Sequence, residues 1–387
     1  MSSMRVLVVY PGFYVYGGGE ILVVRLCNYL SRNGIKNAIL TTEMAPEVKA
    51  DLINTELFVE PVDAREAQSI RQRYAMQARA LAKGIRTHEA DFDVVNPHNF
   101  PAEIAAASSS KPTVWMCNEP ELYLIKDHPH FKNRLSPDRL YFQLWFMRER
   151  SLVRKRISRV VVSDEYNADR FMRIYGIKPR IINYGIDYEF FSSPPSSQLR
   201  TDLDITARFV ILHVGMITPF KNQLASLMAL NQIKQKIPHA MLVCAGGGFD
   251  EVYKKKVDKF IHDNNLEGHV VFLGHVTRDE LRYLYHNADV MLHPISSQGG
   301  WLSPFEMICA GKPVIVSKDL TAASIIEREQ IGIVTDNYVE ALLDVYLNKE
   351  KYRRMSSRGS EYVRAHLSWD RFAEQMLTEF TAARGQS

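Results

Sequence analysis

Residues 5–34 read RVLVVYPGFYVYGGGEILVVRLCNYLSRNG. The run Arg5-Val-Leu-Val-Val-Tyr10 is apolar without polar alternation, the pattern of a strand buried on both faces. Gly17-Gly18-Gly19 follows as a turn. Leu22, Leu26 and Leu30 then recur every four residues, which marks one face of a helix, and Asn33-Gly34 ends it. Ala38–Thr42 reads as the next strand. Strand, glycine turn, helix and strand together make the opening of a parallel α/β sheet.

Further along, residues 66–90 read as a helix rich in Arg, Gln and Ala, and Phe92–Asn96 and Thr113–Met116 as short strands. Polar runs close both strands: Asn96-Pro-His98-Asn99 and Asn118-Glu119-Pro120. Loops at the carboxyl ends of parallel strands build binding sites, so both runs stand where ligand contacts belong. Arg134–Arg159 reads as a long helical region, Val160–Val162 as a strand and Glu165–Tyr175 as a helix. Ser192–Thr201, SSPPSSQLRT, has no apolar periodicity and reads as a linker. A second series follows it. Phe209–Val214, Met241–Ala245, Val270–Leu273, Val290–Leu292 and Pro313–Val316 read as strands, and Gln223–Lys234 and Pro304–Ala310 as helices. Helical patterns recur at 337–348 and 368–382.

The length of 387 residues exceeds a typical single core and favours two domains. Residues 1–190 hold 26 basic against 22 acidic side chains and the remainder 22 against 22, too mild an excess to indicate a nucleic-acid protein. Cys27, Cys117, Cys244 and Cys309 are spaced too widely for a zinc or CxxC site and read as buried thiols in a reducing compartment. The N-terminal apolar run is too short for a signal peptide, and no stretch approaches the ~20 apolar residues of a membrane span. A cytoplasmic location is expected, with membrane association left open.

Three runs could carry chemistry. Gly17-Gly18-Gly19 before a helix can expose backbone N–H groups to an anion, although the full GxGxxG dinucleotide fingerprint is missing. In His213-Val-Gly215-Met-Ile-Thr-Pro-Phe-Lys221, the lysine sits near the start of a helix. The helix dipole alone disfavours a cation there, and a bound phosphate would explain it. In Gln298-Gly-Gly-Trp-Leu-Ser-Pro-Phe-Glu306, two glycines allow close backbone approach and Pro304 suits a first helical turn. Glu306 is an acid in an otherwise apolar helix start, and a carboxylate can accept two sugar hydroxyls. His98 is a further candidate at a strand end, whereas His213, His275 and His293 could equally be internal. There is no HxH or HExxH pair, no carboxylate cluster with metal spacing and no GxSxG elbow, so no metal is expected and a serine hydrolase is disfavoured.

Taken in order, these runs resemble a retaining glycosyltransferase of family 4 with the GT-B fold. The resemblance rests on Pro11…Gly17-Gly18-Gly19-Glu20, Val161-Val162-Ser163, Ile182-Asn183-Tyr184-Gly185-Ile186-Asp187 and Val214-Gly215…Pro219…Lys221. It continues through Phe272-Leu273-Gly274, Ala288-Asp289-Val290, Pro294-Ile295-Ser296, Phe305-Glu306 and Gly311-Lys-Pro313, to the closing Ser368-Trp369-Asp370-Arg371-Phe372. It implies an α/β chain of two Rossmann-like α/β/α domains facing each other across a cleft. Residues 1–190 would bind the acceptor, 191–201 would link, 202–367 would bind the donor, and the helix in 368–387 would cross back to the first domain.

The activity implied is transfer of a hexose, with mannose a candidate, from a GDP- or UDP-sugar to a hydroxyl of a glycan or lipid-linked acceptor, with retention and without a cofactor. Lys221 would hold the donor diphosphate and Glu306, the second acid of an E-x7-E motif, the ribose. The backbone of Gly299, Gly300, Trp301 and Leu302 would face the diphosphate and sugar, and Gly215, Gly247 and His275 would complete the donor site. Gly18, Gly19, His98, Asn99, Asn118 and Glu119 would meet the acceptor. Lys221, Asn118 and Gln298 are the catalytic candidates. Three positions depart from the family: Gln298 replaces the first acid of E-x7-E, Met216 a frequent arginine and Asn118 the usual histidine. They keep two alternatives open, a nucleotide-sugar-binding protein with impaired catalysis and a sugar-nucleotide epimerase of the same fold. Finally, Arg134–Arg159 sets eight basic residues against Asp138 and Glu149, interleaved with Tyr141, Phe142, Leu144, Trp145 and Phe146. That mixture suits peripheral contact with anionic lipid, or a solvated face over packed aromatics.

Overall fold

The computed structural model describes residues 4–14, 17–62, 69–120, 137–195, 208–296 and 299–385, apart from the side chains of 70, 71, 137–139, 141 and 142. Of the expected linker, 196–201 lies outside the described residues, as does Gln298. The chain divides into two compact units, Met1–Gly185 with Trp369–Ser387, and Ile186–Ser368.

The first unit is a parallel sheet of β1 (Arg5–Val9), β2 (Lys36–Thr41), β3 (Glu56–Val59), β4 (Val94–Pro97), β5 (Val114–Met116), β6 (Arg159–Val162) and β7 (Arg180–Ile181). Its strands run β3-β2-β1-β4 and β5-β6-β7, and the bridges Val95–Thr113 and His98–Met116 join the two groups. Val6 to Val9 are fully buried, as an apolar central strand requires. The helix Gly18–Arg32 buries Leu22, Leu26 and Leu30 against this sheet. Its start is closed by the Gly17 N–H donating to Glu20 Oε2 at 3.2 Å. The last helix, Trp369–Arg384, belongs to this unit through buried Phe372, Met376 and Phe380 and through Arg159 Nε, 2.5 Å from Glu379 Oε2.

The second unit repeats the design. Its sheet of β8 (Phe209–Val214), β9 (Ala240–Ala245), β10 (Val270–Gly274), β11 (Val290–His293), β12 (Val314–Val316) and β13 (Ile333–Val334) runs β10-β9-β8-β11-β12-β13, all parallel. In both units the first strand is central and the fourth lies on its other side. Such a reversal of strand order opens a crevice at the carboxyl ends of the strands. The two crevices lie after β1 and β4, and after β8 and β11. The unit already begins at Ile186, whose N–H bonds Leu367 O at 2.8 Å, followed by the Asp187–Arg278 ion pair.

Candidate functional site

In the second unit the loop after β8 carries Lys221 up to the helix Gln223–Ile233. Two bonds tie this loop to the one after β11: Ser296 N–H to Phe220 O at 2.9 Å, and Asn222 Nδ2 to Pro294 O at 3.0 Å. The lysine stem lies on Gly215, where a Cβ would come within 3.0 Å of Lys221 Cδ. Gly300 has φ +143°, and a Cβ there would stand 3.2 Å from Lys221 Nζ, 2.7 Å from His293 Nε2 and 2.1 Å from Ile295 Cδ1. The ammonium and the turn before the helix Leu302–Cys309 therefore share one small space that only glycine leaves open. The first N–H groups of that helix have no partner within it.

Two buried histidines lie beneath. His293 Nε2 donates to Gly300 O at 3.1 Å, and His213 Nδ1 lies 2.9 Å from Ser226 Oγ. Burial, reinforced by the Lys221 charge, brings His213 down to about 3 and holds His293 well below the usual imidazole range. Both are neutral, so they add no charge beside the lysine. They are internal residues, and His293 also anchors the glycine turn.

Glu306 projects from the same helix and accepts the Tyr285 hydroxyl on Oε2 at 2.7 Å. Burial pushes its carboxyl up to about 7, the Tyr285 bond and Arg278 opposing this and Asp187 adding to it. Trp301 is buried, its ring 4.5 Å from that of Phe305, whereas Leu302 is half-buried. Gly247 backs onto exposed His275, with a Cβ at 247 falling 3.1 Å from His275 Cβ. Met216 is exposed. Thus Gly215, Lys221, Gly299, Gly300, Leu302 and Glu306 gather around β8 and β11, and Gly247 and His275 around the neighbouring β9 and β10.

In the first unit, side chains from four strand-end loops form a directed row of hydrogen bonds. Tyr184 Oη donates to Asn118 Oδ1 at 2.8 Å, and Asn118 Nδ2 to Asn99 Oδ1 at 2.6 Å. Asn99 Nδ2 donates to Tyr10 Oη at 3.3 Å, and Tyr10 Oη to Glu20 Oε1 at 3.1 Å. Each bond polarises the next toward the terminal carboxylate. Burial raises the Glu20 carboxyl and lifts both tyrosines above the ordinary phenol range. Asn118 is therefore a bridge whose amide binds on both sides. Gly19 touches this row, since a Cβ there would lie 2.8 Å from Tyr10 Oη, and Gly18 opens the adjoining helix. Glu119 is half-buried beside Asn118.

His98 is not brought to this surface. It is fully buried, its Nε2 2.8 Å from Asn96 Oδ1, and burial lowers it to about 3. Its backbone bridge to Met116, beside that of Val95 to Thr113, places it at the junction of the two strand groups. Sequence reasoning did not single out Tyr10, Tyr184, Tyr285 or Gln77. Gln77 precedes Leu81 and Ile85 on the buried stripe of the helix Ile70–His88, and a polar residue on such a stripe is a usable signal.

Within Arg134–Arg159, the helix spans Pro137–Arg156. Residues 134–136 and the side chains of Arg139, Tyr141 and Phe142 lie outside the described residues. Phe146 packs toward Tyr175, and Trp145 meets Phe100 at 5.3 Å. The exposed apolar residues are instead Leu140, Leu144 and Met147, at helical spacing, with exposed Arg148, Arg154, Lys155 and Arg156 on the same helix. Among the described residues no helix is long and apolar enough to cross a membrane.

Two family models match the chain: "Glycosyltransferase Family 4" over residues 16–190 and "Glycosyl transferases group 1" over residues 197–362. Among curated proteins, the chain is 26% identical over 233 residues to the GDP-mannose-dependent alpha-(1-6)-phosphatidylinositol monomannoside mannosyltransferase of Mycobacterium tuberculosis. That match spans 56% of this chain and 60% of the relative's length. Among solved structures, Anabaena HepE in complex with UDP superposes with a TM-score of 0.77 at 18% identity, covering 98% of this chain and all of the other. WaaG, a glycosyltransferase involved in lipopolysaccharide biosynthesis, superposes with a TM-score of 0.73 at 17% identity, covering 97% and 99%. The shared architecture is the two-unit GT-B fold.

Proposed function

We propose, from the premise that this chain belongs to glycosyltransferase family 4, that it moves a hexose from a nucleoside diphosphate sugar to an acceptor hydroxyl with retention of configuration. The observation that carries this reading is the meeting of Lys221 Nζ with the Gly300 turn at the start of the helix bearing Glu306. A departing diphosphate gains negative charge in the transition state. Lys221 and the helix N–H groups would stabilise it as fixed donors that need no reorganisation. Glu306 would take the ribose hydroxyls. The acceptor proton can pass to the leaving phosphate oxygen, so no protein base is required. The row from Tyr184 to Glu20 would position the acceptor in the first unit, with Asn118 as its central member.

Mannose from a GDP donor is supported by the mannosyltransferase relative, whereas HepE was crystallised with UDP. A glycan or lipid-linked acceptor is our reading, supported by the exposed Leu140, Leu144 and Met147 beside basic residues, a face suited to anionic lipid. The four buried thiols suit a reducing, cytoplasmic setting.

Calorimetric titration with GDP, UDP and ADP, followed by their sugars, tests the donor. One diphosphate should bind at micromolar affinity. Lys221→Ala should lower turnover at least tenfold, as removal of one such donor costs about 2.7–4 kcal/mol in other enzymes. Absence of binding by every nucleotide, or an unchanged turnover in the variant, refutes the assignment. Donor binding without transfer to any acceptor would instead support an impaired enzyme.

A further inference from the structure

The first unit contains a cavity of about 270 Å³ at the carboxyl ends of β1 and β4. Clefts for drug-sized ligands run to about 300–1,000 Å³, so this space suits a single sugar ring. One wall is Tyr10, Glu20 and Asn99, the acceptor end of the hydrogen-bonded row, and the other is Arg73, Tyr74 and Gln77 from the helix Ile70–His88. Both walls offer flat rings and amides: Tyr74 meets Phe100 edge-on at 4.9 Å, and Gln77, only 3% exposed, donates to Tyr14 Oη at 2.7 Å.

Arg73 is the feature that neutral sugar binding does not account for. Its guanidinium lies 4.9 Å from the centroid of the Tyr14 ring, and among the described residues it forms no ion pair. Glu20, the carboxylate of the same cavity, is already engaged by Tyr10 Oη and the Gly17 N–H. A guanidinium stacked on a ring that is itself hydrogen-bonded keeps its planar donor fork oriented at little further entropic cost, which suits carboxylate and phosphate.

Building on the reading of this unit as the acceptor side, we propose that the cavity binds an acceptor sugar ring bearing an anionic substituent, a carboxylate or a phosphate. Arg73 takes the anion, and Glu20 and Asn99 take ring hydroxyls on the opposite wall. A partly exposed charge pair of this kind mainly sets specificity. Arg73 thus selects among acceptors, and the row behind Asn99 holds the ring in register.

Saturation-transfer NMR titrations of the full chain with glucuronic acid, glucose 1-phosphate, glucose and inorganic phosphate test this. Either acidic sugar should bind at least fivefold more tightly than glucose, and phosphate alone more weakly than glucose 1-phosphate. Stronger binding of glucuronic acid points to a carboxylated glycan, and stronger binding of glucose 1-phosphate to a phosphate-linked sugar; both support the proposal. Arg73→Met should abolish the preference, with circular dichroism and nucleotide binding unchanged, and Arg73→Lys should keep part of it. The preference must persist in Lys221→Ala, because Lys221 offers a second place for an anion. No preference in the wild type, the same preference in Arg73→Met, or its loss in Lys221→Ala overturns the proposal. Failure of every nucleotide to bind would count against the glycosyltransferase reading instead, and is read separately.

Discussion

Replacing Glu306 by Gln should stabilise the second unit at alkaline pH while weakening donor binding. Burial raises the carboxyl from 4.5 to about 7, so the folded protein holds this proton more tightly than the unfolded chain. Stability from this group is therefore greatest below pH 4.5. It falls as pH rises between 4.5 and 7, and the full cost is present above 7. A rise from 4.5 to about 7 corresponds to about 3 kcal/mol. Gln keeps the length and accepts the Tyr285 hydroxyl as a neutral group, as the protonated acid does, and the stronger bond to the carboxylate is already contained in the rise to about 7. The net gain should be about 3 kcal/mol at pH 8.5 and near zero at pH 4.5. Urea unfolding of both proteins at the two pH values, followed by amide hydrogen exchange in the second unit, measures this difference without assuming that the two units unfold together. Nucleotide titration should show at least a tenfold loss of affinity in Glu306→Gln, since two hydroxyl bonds to a charged acceptor become weaker. A variant that is less stable at pH 8.5 than at pH 4.5, relative to wild type, would refute the desolvation argument. Unchanged nucleotide affinity would refute the ribose assignment.

Gly300→Ala should reduce nucleotide affinity at least tenfold, measured by calorimetry, because φ +143° and a Cβ 2.1 Å from Ile295 force the turn away from Lys221. Asn118→Ala should leave nucleotide affinity intact but lower kcat/KM for acceptor at least tenfold, because it cuts the row between Tyr184 and Asn99. Equal losses for donor and acceptor would count against that role. Leu144→Glu should abolish sedimentation with vesicles containing anionic phospholipid at low salt, and a wild type that stays in the supernatant would refute the membrane-facing reading.

The elements legible in the sequence are those whose burial leaves a local pattern. Val6 to Val9 and Val290 to Leu292 are central strands covered on both faces, and continuous apolar runs betray them. Strands β3, β7 and β13 are short and not fully buried, two of them only two residues long, and leave no such pattern. Lys221 and Glu306 stood out as candidates in the sequence because one is a cation just before a helix start and the other an acid within an apolar run. His98 shows the converse, since a strand-end position does not say which way a side chain points, and this one points into the sheet.

By itself, the sequence determined two parallel sheets with glycine-marked loops at their strand ends, and the family whose motifs occupy those loops. Period and composition act over a few residues, and such features are set at that range. Tertiary structure alone decided which partners those loops meet. Tyr285 stands 21 residues from the Glu306 carboxylate it bonds, and Tyr184 stands 66 from Asn118. Arg73 meets the strand-end loop of Tyr14 from a separate helix. The proton affinity of Glu306 and the direction of the row ending at Glu20 depend on desolvation and on bonds between distant segments. Packing creates these, and no local pattern records them.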